Sequence, residues 1–309
     1  MKQLRSLTEL LSYARDVGPL TISVACAEDA EVLEAVDAAR KERVARAFLT
    51  GDADKIAKTA SSAGVDLRHF EIVDEKGGEA EASLRAVELV SSGKADILMK
   101  GMVKTANFLR AVLNKEKGLR SGSLLSHVYL HHVAHYDRIF FVSDPAFNMY
   151  PDLQGKVSIV ENVVKLAHSF GVETPKVAAL AAVEVVNPDM PPTVDAAMLT
   201  QMNRRGQIQK CLIDGPLALD NALSPESARH KGIVSDVAGY ADIFLVPDID
   251  AGNMLSKSII YLSEGSKTAG LVLGARAPIV LTSRADSAET KLLSIASAVA
   301  LAVFQKKKP

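Results

Sequence analysis

Ser283 and Arg284 stand where a short apolar run, APIVLTS at 277–283, gives way to a stretch of helical period. A guanidinium beside the positive N-terminal end of a helix favours a phosphate or a developing oxyanion. Asp286 or Ser287 is the candidate N-cap of that helix. An Arg284 that only pairs with a capping Asp286 would fit the same spacing, so the sequence leaves both interpretations open.

Asp214 and Asp248 also follow apolar runs, and each is followed by Gly or Pro within a few residues. Each carboxylate either forms a turn or, with its counterpart at an equivalent strand end, belongs to a shared site. Lys100 ends the run at 95–101, where its ammonium could bind an anion or its stem could lie along the sheet surface. Glu28 and Asp29 are predicted to cap the helix that follows them.

Histidines cluster in one short segment, whose members are His127, His131, His132 and His135. The four-residue intervals are those of metal ligands on a helix. The segment is β-like, however, and these intervals do not form a tetrahedral set on a strand. No acidic ligand motif accompanies them, so ordinary surface or interface histidines are the preferred interpretation and no metal is predicted.

Short apolar runs that alternate with helical stretches are expected to position these side chains. Strands are predicted at 19–27, 46–51, 69–74, 95–101, 176–183, 209–215, 241–248, 268–274 and 277–283. Two further strands, 124–133 and 138–145, are predicted to form an antiparallel pair at one edge of a sheet. This alternation is typical of an α/β protein with parallel sheets covered by helices. Ligands of such sheets bind beyond the carboxyl ends of the strands, where helices begin.

Composition narrows the class of protein. The chain has 309 residues, enough for one large domain or two medium ones, and a net charge of −1, which argues against a nucleic-acid partner. It contains no window of 18 uninterrupted apolar residues, so no membrane span is expected. Cys26 and Cys211 lie in apolar runs and are predicted to be buried thiols in a cytoplasmic protein. The sequence lacks the G-x-x-x-x-G-K-[ST] and G-x-G-x-x-G signatures of common nucleotide sites.

Longer blocks carry a family resemblance. The segments VPDIDAGNMLSKSIIYL (246–262) and GLVLGARAPIVLTSRADSAE (270–289) resemble the phosphate acetyl/butyryltransferase family. So do DGPLALDNALS (214–224) and KGMVKTANFLRAVLNKEKGLRSGSLLSHV (100–128), and the last of these is more similar to the butyryl branch. The resemblance covers essentially the whole chain.

The resemblance implies a fold of two three-layer α/β/α domains with a cleft between them, similar to the isocitrate and isopropylmalate dehydrogenases. It implies that domain I comprises 1–121 plus 276–309 and that domain II comprises 122–275. Members of the family form homodimers or larger homo-oligomers, and the same assembly is expected here.

The activity implied by the resemblance is acyl transfer between CoA and inorganic phosphate, by direct attack in a ternary complex. CoA is then a substrate, and no tightly bound cofactor is expected. Ser283 and Arg284 match the family's Ser-Arg motif, and Arg110 matches a second active-site arginine. Asn253 belongs to the Gly-Asn block that faces the ligands. The remaining expected substrate-binding residues are Lys100, Ser126, Asp214 and Asp248.

One position departs from the family pattern. In the acetyl branch, a carboxylate seven residues after the motif serine serves as the base for the thiol, and that position is Thr290 here. Either Asp286 substitutes from the same turn, or the thiol is deprotonated with help from solvent or phosphate. Phosphate acetyltransferase is the alternative within the family. A non-catalytic CoA-binding domain and a dehydrogenase on the same kind of fold are further hypotheses.

Overall fold

The computed structural model of the chain describes residues 2–134, 136–282 and 286–307. Its strands are β1 (Leu20–Ala25), β2 (Ala45–Gly51), β3 (Glu71–Asp74), β4 (Ile97–Lys100), β5 (Ser126–His132), β6 (Phe140–Ser143), β7 (Lys176–Leu180), β8 (Leu212–Leu217), β9 (Ile243–Leu245), β10 (Lys267–Leu273) and β11 (Ile279–Val280). Its helices are α1 (Leu7–Val17), α2 (Ala30–Lys41), α3 (Ala53–Ala63), α4 (Glu79–Ser91), α5 (Thr105–Val112), α6 (Leu153–Ser169), α7 (Pro191–Arg204), α8 (Leu219–Leu223), α9 (Pro225–His230), α10 (Ile249–Leu262) and α11 (Ala288–Lys307).

The chain divides into two compact units. Unit 1 is built mainly from Leu124–Thr268, and unit 2 from Thr8–Ser123 together with Ala269–Pro309. In unit 2 the strand order is β3-β2-β1-β4-β11-β10. Its strands β3, β2, β1, β4 and β11 run parallel, while β10 pairs antiparallel with β11. The carboxyl ends of the parallel strands therefore meet at one edge.

In unit 1 the strand order is β5-β6-β9-β7-β8. Strands β6, β9, β7 and β8 are parallel, and β5 runs antiparallel to β6. The start of β5 therefore lies at the same edge as the carboxyl end of β6, with Val128 paired to Ser143. Apolar side chains such as Phe140, Val142 and Phe244 fill the core beside this sheet.

The predicted α/β alternation and the antiparallel pair are confirmed, and in the strand order of unit 1 this pair comes first. Lys267 and Thr268, the first residues of β10, belong to the same unit. His131 Nδ1 lies 3.1 Å from Thr268 Oγ1. Strands can be predicted from local sequence patterns, whereas a contact between residues 137 positions apart cannot.

Helix α11 packs within unit 2 and is the helix of the described chain with the length and composition of a membrane span. Its apolar window has a mean hydropathy of 1.3, and 61% of that window is buried inside the protein. Burial of this kind is that of a core helix, with Ile295, Ala296 and Val299 fully enclosed.

Glu28 and Asp29 have different roles, although both were predicted to cap α2. Asp29 caps α2, since its carboxylate accepts a hydrogen bond from the Val32 amide at 3.2 Å. Glu28 instead accepts one from the Asp52 amide at 2.8 Å, at the end of β2. The prediction for Glu28 is therefore wrong, because its side chain reaches across to the neighbouring strand end rather than along its own helix.

Candidate functional site

Lys100 ends β4 at the carboxyl edge of unit 2. The residue is only 8% exposed, and its Nζ donates to the Gly101 carbonyl at 3.2 Å. A Cβ on Gly101 would lie 2.1 Å from the Cys26 carbonyl oxygen, so the close approach of this turn to the end of β1 requires glycine. The Lys100 side chain is thus held at the strand end and does not extend along the sheet surface.

Arg110 lies on the exposed face of α5, one helical turn beyond a polar anchor. Its guanidinium donates to the Asn107 side-chain oxygen at 3.2 Å. The Asn107 amide in turn donates to the Glu79 carboxylate at 3.1 Å, and the Lys104 amide donates to the same carboxylate at 3.2 Å. Glu79 therefore fixes the first turn of α5, which carries Arg110 into solvent with its charge accessible.

The Ser-Arg motif precedes α11 in the sequence. Ser283 and Arg284 lie outside the described residues. Asp286 is half-buried, but Ser287 is the residue that caps the helix, since its Oγ accepts a hydrogen bond from the Thr290 amide at 3.2 Å. Of the two candidate residues, Ser287 and not Asp286 is therefore the N-cap of α11.

Lys291 is a buried cation that the sequence does not reveal. It is 2% exposed, and its Nζ lies 2.6 Å from the Glu31 carboxylate of α2 and donates to the Asp286 carbonyl. A lysine one turn into a helix gives no sequence signal of burial, because most lysines at such positions are solvated.

Ser126 begins β5 at the corresponding edge of unit 1 and is fully buried. Its hydroxyl accepts a hydrogen bond from the Asn162 amide at 3.0 Å, and the same amide donates to the Leu124 carbonyl at 2.8 Å. Asn162 thus fixes the chain that enters β5. Ser126 lies at the start of β5, and its substrate contact stays a prediction.

Asp248 and Asn253 are placed together by α10. Asp248 caps the helix by accepting from the Ala251 amide at 2.9 Å, and the Asn253 amide donates to the Pro145 carbonyl at 3.3 Å. A Cβ on Gly252 would lie 2.9 Å from the Pro145 Cα. The Ala-Gly-Asn block therefore lets the first turn of α10 pack directly on the turn after β6.

Asp144, which follows β6, had been assigned no role from the sequence. It is 2% exposed and accepts hydrogen bonds from the amides of Ala146 and Phe147, both at 3.0 Å, and from the Asn148 side chain at 2.6 Å. The Asn148 side chain also donates to the Leu125 carbonyl at 2.9 Å. The Ser-Asp-Pro sequence directly after a predicted strand is the sequence feature that could have indicated a role for Asp144. Asp144 organises the loop that contacts Asn253.

Asp214 is not at a strand end equivalent to that of Asp248. It pairs with Ala178 inside β8, which continues to Leu217, and it lines an open cavity of about 350 Å³ with Arg204 and Asp236. The expectation of equivalent positions is therefore wrong, because the strand runs on through Gly215 and Pro216. A substrate role for Asp214 remains a prediction.

The histidine segment forms a strand, as its β-like pattern predicted, but the expected surface placement is wrong for His127 and His131, because both are buried against aromatic rings. His127 and Tyr129 have ring centroids 4.6 Å apart, and His131 and Phe140 lie 5.5 Å apart. Burial lowers the pKa of His131 to about 3, so the ring is neutral at pH 7. His135 lies outside the described residues. Within the described ranges, no three His, Cys, Asp or Glu side chains group as metal ligands.

Both cysteines are free and buried, as predicted. Burial raises the pKa of the Cys26 thiol to about 12 and that of the Cys211 thiol to about 11. Cys26 lines a cavity of about 270 Å³ at the carboxyl edge of unit 2, together with Glu28 and Glu79. Because thiols with such pKa values stay protonated at pH 7, neither cysteine is suited to act as a nucleophile.

The chain is similar in sequence to known proteins. A sequence profile described as phosphate acetyl/butaryl transferase matches residues 78–299. A phosphate butyryltransferase from Clostridium acetobutylicum is 52% identical over 299 residues, which cover 97% of this chain and 99% of that protein.

Solved structures are similar as well. A branched-chain phosphotransacylase from Enterococcus faecalis V583 matches with a TM-score of 0.81 and 33% identity, over 92% of this chain and 99% of that one. A 4-hydroxythreonine-4-phosphate dehydrogenase from Klebsiella pneumoniae matches with a TM-score of 0.55 and 12% identity, over 92% of this chain and 100% of that one, so it shares the fold alone. The predicted similarity to a dehydrogenase fold is confirmed.

Proposed function

The chain belongs to the phosphate acetyl/butyryltransferase family, and we propose that it transfers a butyryl group reversibly between CoA and inorganic phosphate. The observation that carries this proposal is the 52% identity to a phosphate butyryltransferase over nearly the whole of both chains. In the direction of acyl-phosphate formation, a phosphate oxygen attacks the thioester carbonyl, the carbon–sulfur bond breaks, and CoA leaves as the thiol.

The main demands of this reaction are binding of the phosphate dianion and stabilisation of a tetrahedral oxyanion. Arg284 binds phosphate and Ser283 donates to the oxyanion in the proposed mechanism. Lys100 and Arg110, whose cationic groups are fixed at the carboxyl edge of unit 2 and on α5, add positive potential for phosphate groups. In unit 1, Ser126, Asp248 and Asn253 occupy the corresponding edge and contribute substrate contacts.

Direct attack without an acyl-enzyme is supported by the state of the cysteines. The buried thiols of Cys26 and Cys211 have pKa values of about 12 and about 11. A covalent route through either cysteine would need a thiolate that neither site favours. The ternary complex, in which CoA and phosphate exchange the acyl group directly, needs none.

The base that takes the thiol proton in the reverse direction is proposed to be Asp286. Thr290, at the position of the acetyl-branch carboxylate, is used in the helix cap, where its amide donates to Ser287 Oγ and its hydroxyl accepts from the same atom at 3.2 Å. A CoA thiol has a pKa of about 8.5, so a base of modest strength is enough. Asp286 stands in the turn that follows the Ser-Arg motif.

The acyl-chain preference is tested by measuring phosphate-dependent release of CoA from acetyl-, propionyl- and butyryl-CoA. The proposal expects the highest kcat/KM with butyryl-CoA. The family description includes acetyl transfer, so phosphate acetyltransferase is the second candidate. A highest kcat/KM with acetyl-CoA would replace the first candidate by the second, and the absence of any phosphate-dependent release would reject both.

We also propose an oligomeric state and a cellular location for the chain. The chain is proposed to be cytoplasmic and to form a homodimer or larger homo-oligomer, with unit 2 corresponding to domain I and unit 1 to domain II of the resemblance. Helix α10 supports self-association, since Met254, Tyr261 and Leu262 are 64%, 69% and 82% exposed. Light scattering after size-exclusion chromatography should give the mass of at least two chains. The mass of one chain would contradict the proposal.

A further inference from the structure

The loop that follows β6 is held in place by a buried carboxylate. Asp144 is 2% exposed and accepts hydrogen bonds from the amides of Ala146 and Phe147, both at 3.0 Å. It also accepts one from the Asn148 side chain at 2.6 Å, and that side chain donates to the Leu125 carbonyl at 2.9 Å. The loop therefore has a defined conformation beside the start of β5.

The same loop lies along the first turn of α10. The Ile249 amide donates to the Met149 carbonyl at 3.0 Å, and the Asn253 side chain donates to the Pro145 carbonyl at 3.3 Å. Asp248, which precedes Ile249, caps this helix. The loop is thus continuous with Asp248 and Asn253, the two residues of this region that are proposed to contact substrate.

Met149 and Tyr150, at the end of this loop, expose apolar side chains to water. They are 66% and 76% exposed, although Asp144 and Pro145 in the same loop are buried. The contact of Met149 with α10 is made by its backbone, and the Tyr150 hydroxyl lies 3.5 Å from Asp250 Oδ2. The apolar parts of the two side chains therefore do not fix the loop. Adjacent exposed apolar groups of this kind, next to polar residues of a binding region, indicate a contact surface for a ligand.

We propose that Met149 and Tyr150 contact the alkyl chain of the acyl group and set the preference of the reaction for butyryl over acetyl. This inference rests on the function proposed above and names one part of its substrate site. The alkyl chain is the apolar part of the substrates, because phosphate and the nucleotide of CoA are charged and the pantetheine arm carries amides. A butyryl group has two methylenes more than an acetyl group. Burial of one methylene favours binding by about fourfold, so contact with both predicts a preference of about fifteenfold.

The test is the double variant Met149→Ser/Tyr150→Ser, assayed by phosphate-dependent release of CoA from butyryl-CoA and from acetyl-CoA. The ratio of the two kcat/KM values, butyryl over acetyl, should fall at least fivefold, because the longer chain loses its contacts. The kcat/KM for acetyl-CoA should change by less than threefold.

The matched control is Met198→Ser/Tyr240→Ser, which changes the same residue types at other exposed positions. Met198 lies on α7 and is 39% exposed, and Tyr240 precedes β9 and is 47% exposed. This variant should keep the ratio within twofold. A fall as large as that of Met149→Ser/Tyr150→Ser would show that the ratio responds to any loss of exposed apolar surface, and it would overturn the inference.

Conservative variants separate an apolar contact from a polar one. Met149→Leu and Tyr150→Phe keep the apolar groups and should each keep the ratio within twofold. A ratio that falls in Tyr150→Phe as far as in Tyr150→Ser would assign the effect to the hydroxyl and contradict the proposed contact. If the double variant does not fold by circular dichroism, the single variants Met149→Ser and Tyr150→Ser decide, and each should lower the ratio at least twofold.

The assay distinguishes failure of the inference from failure of the proposed function. An active, butyryl-preferring chain whose ratio is unchanged in the folded double variant overturns the inference alone. An unchanged chain that releases no CoA rejects the proposed function, and the inference falls with it. A second copy of the chain is the competing occupant of this surface. A double variant that loses oligomer mass in light scattering and keeps the ratio would assign Met149 and Tyr150 to an interface and overturn the inference.

Discussion

Lys156 in unit 1 and Lys291 in unit 2 form ion pairs of the same length in different settings. Each ammonium lies 2.6 Å from its carboxylate, and the lysine side chains are 6% and 3% exposed. Their partners differ, since Asp195 is 22% exposed and Glu31 is 50% exposed. One pair therefore has two mostly buried partners, and the other has one partner that is half exposed to water.

The two pairs also join different kinds of structure. Lys156 connects α6 to α7, two regular helices of unit 1. Lys291 connects α11 to α2 and, through the Asp286 carbonyl, to a segment outside regular structure. An ion pair between two helices mainly stabilises the fold, whereas one that also binds a loop affects the geometry of that loop. Equal distances thus occur in different structural settings.

Lys156→Met should have the largest effect on stability. It leaves the mostly buried Asp195 carboxylate without its partner, and breaking a buried pair in this way costs about 3 kcal/mol. Urea unfolding followed by circular dichroism measures the free energy of unfolding. A loss below about 1 kcal/mol would mean that Asp195 is rehydrated easily, and the contrast between the two pairs would disappear.

Acidification should weaken unit 1 through His131. Its pKa is about 3 in the folded chain because the ring is buried, whereas an unfolded histidine has a pKa of about 6.5. Below pH 6.5 the unfolded chain binds a proton that the folded chain does not, so this contribution falls by about 1.4 kcal/mol per pH unit down to about pH 3.

Hydrogen exchange at pH 7 and pH 5.5 locates this effect, and β5 should lose protection before the strands of unit 2. His131→Phe is the control, because it keeps an aromatic ring beside Phe140 and removes the titrating group. Its protection in β5 should depend less on pH than that of the unchanged chain. An equal pH dependence in both proteins would contradict the role of His131.

Lys291→Met should lower the free energy of unfolding by only about 1 kcal/mol, because the half-exposed Glu31 returns to water when its partner is removed. Urea unfolding followed by circular dichroism measures this value. A stability loss as large as that of Lys156→Met would show that Glu31 is not rehydrated, and the contrast between the two pairs would disappear.

Lys306→Met should have the smallest effect, below about 0.5 kcal/mol. The lysine is 59% exposed, and surface ion pairs contribute little. The same unfolding experiment checks this value. A loss comparable to that of Lys291→Met would show that α11 is stabilised equally at both ends, which would contradict the expected difference between a buried and an exposed lysine.

Much of the fold was predictable from the sequence because it depends on local patterns. Alternation of β-rich runs and helical stretches predicted the parallel strands, and Asp29 was correctly predicted as the cap of α2. Asp248 was predicted to follow a strand, and it lies after β9 as the cap of α10.

Other features depend on contacts that local sequence does not record. Asp214 lies inside β8 because the strand continues past it, and the carboxylate of Glu28 caps a turn on the neighbouring strand. Lys291 and Glu31 are 260 residues apart, so no spacing rule connects them. The sequence therefore predicted which strand ends form the candidate site. It did not predict which side chains hold those strand ends in place.

The most direct test of the central claim is phosphate-dependent release of CoA from butyryl-CoA by the unchanged chain and by Arg284→Ala. The account predicts activity in the unchanged chain, a fall of at least tenfold in kcat/KM for phosphate in the variant, and the same unfolding midpoint for both proteins. Near-normal turnover by a folded Arg284→Ala protein would contradict the assignment of phosphate binding to the Ser283-Arg284 motif.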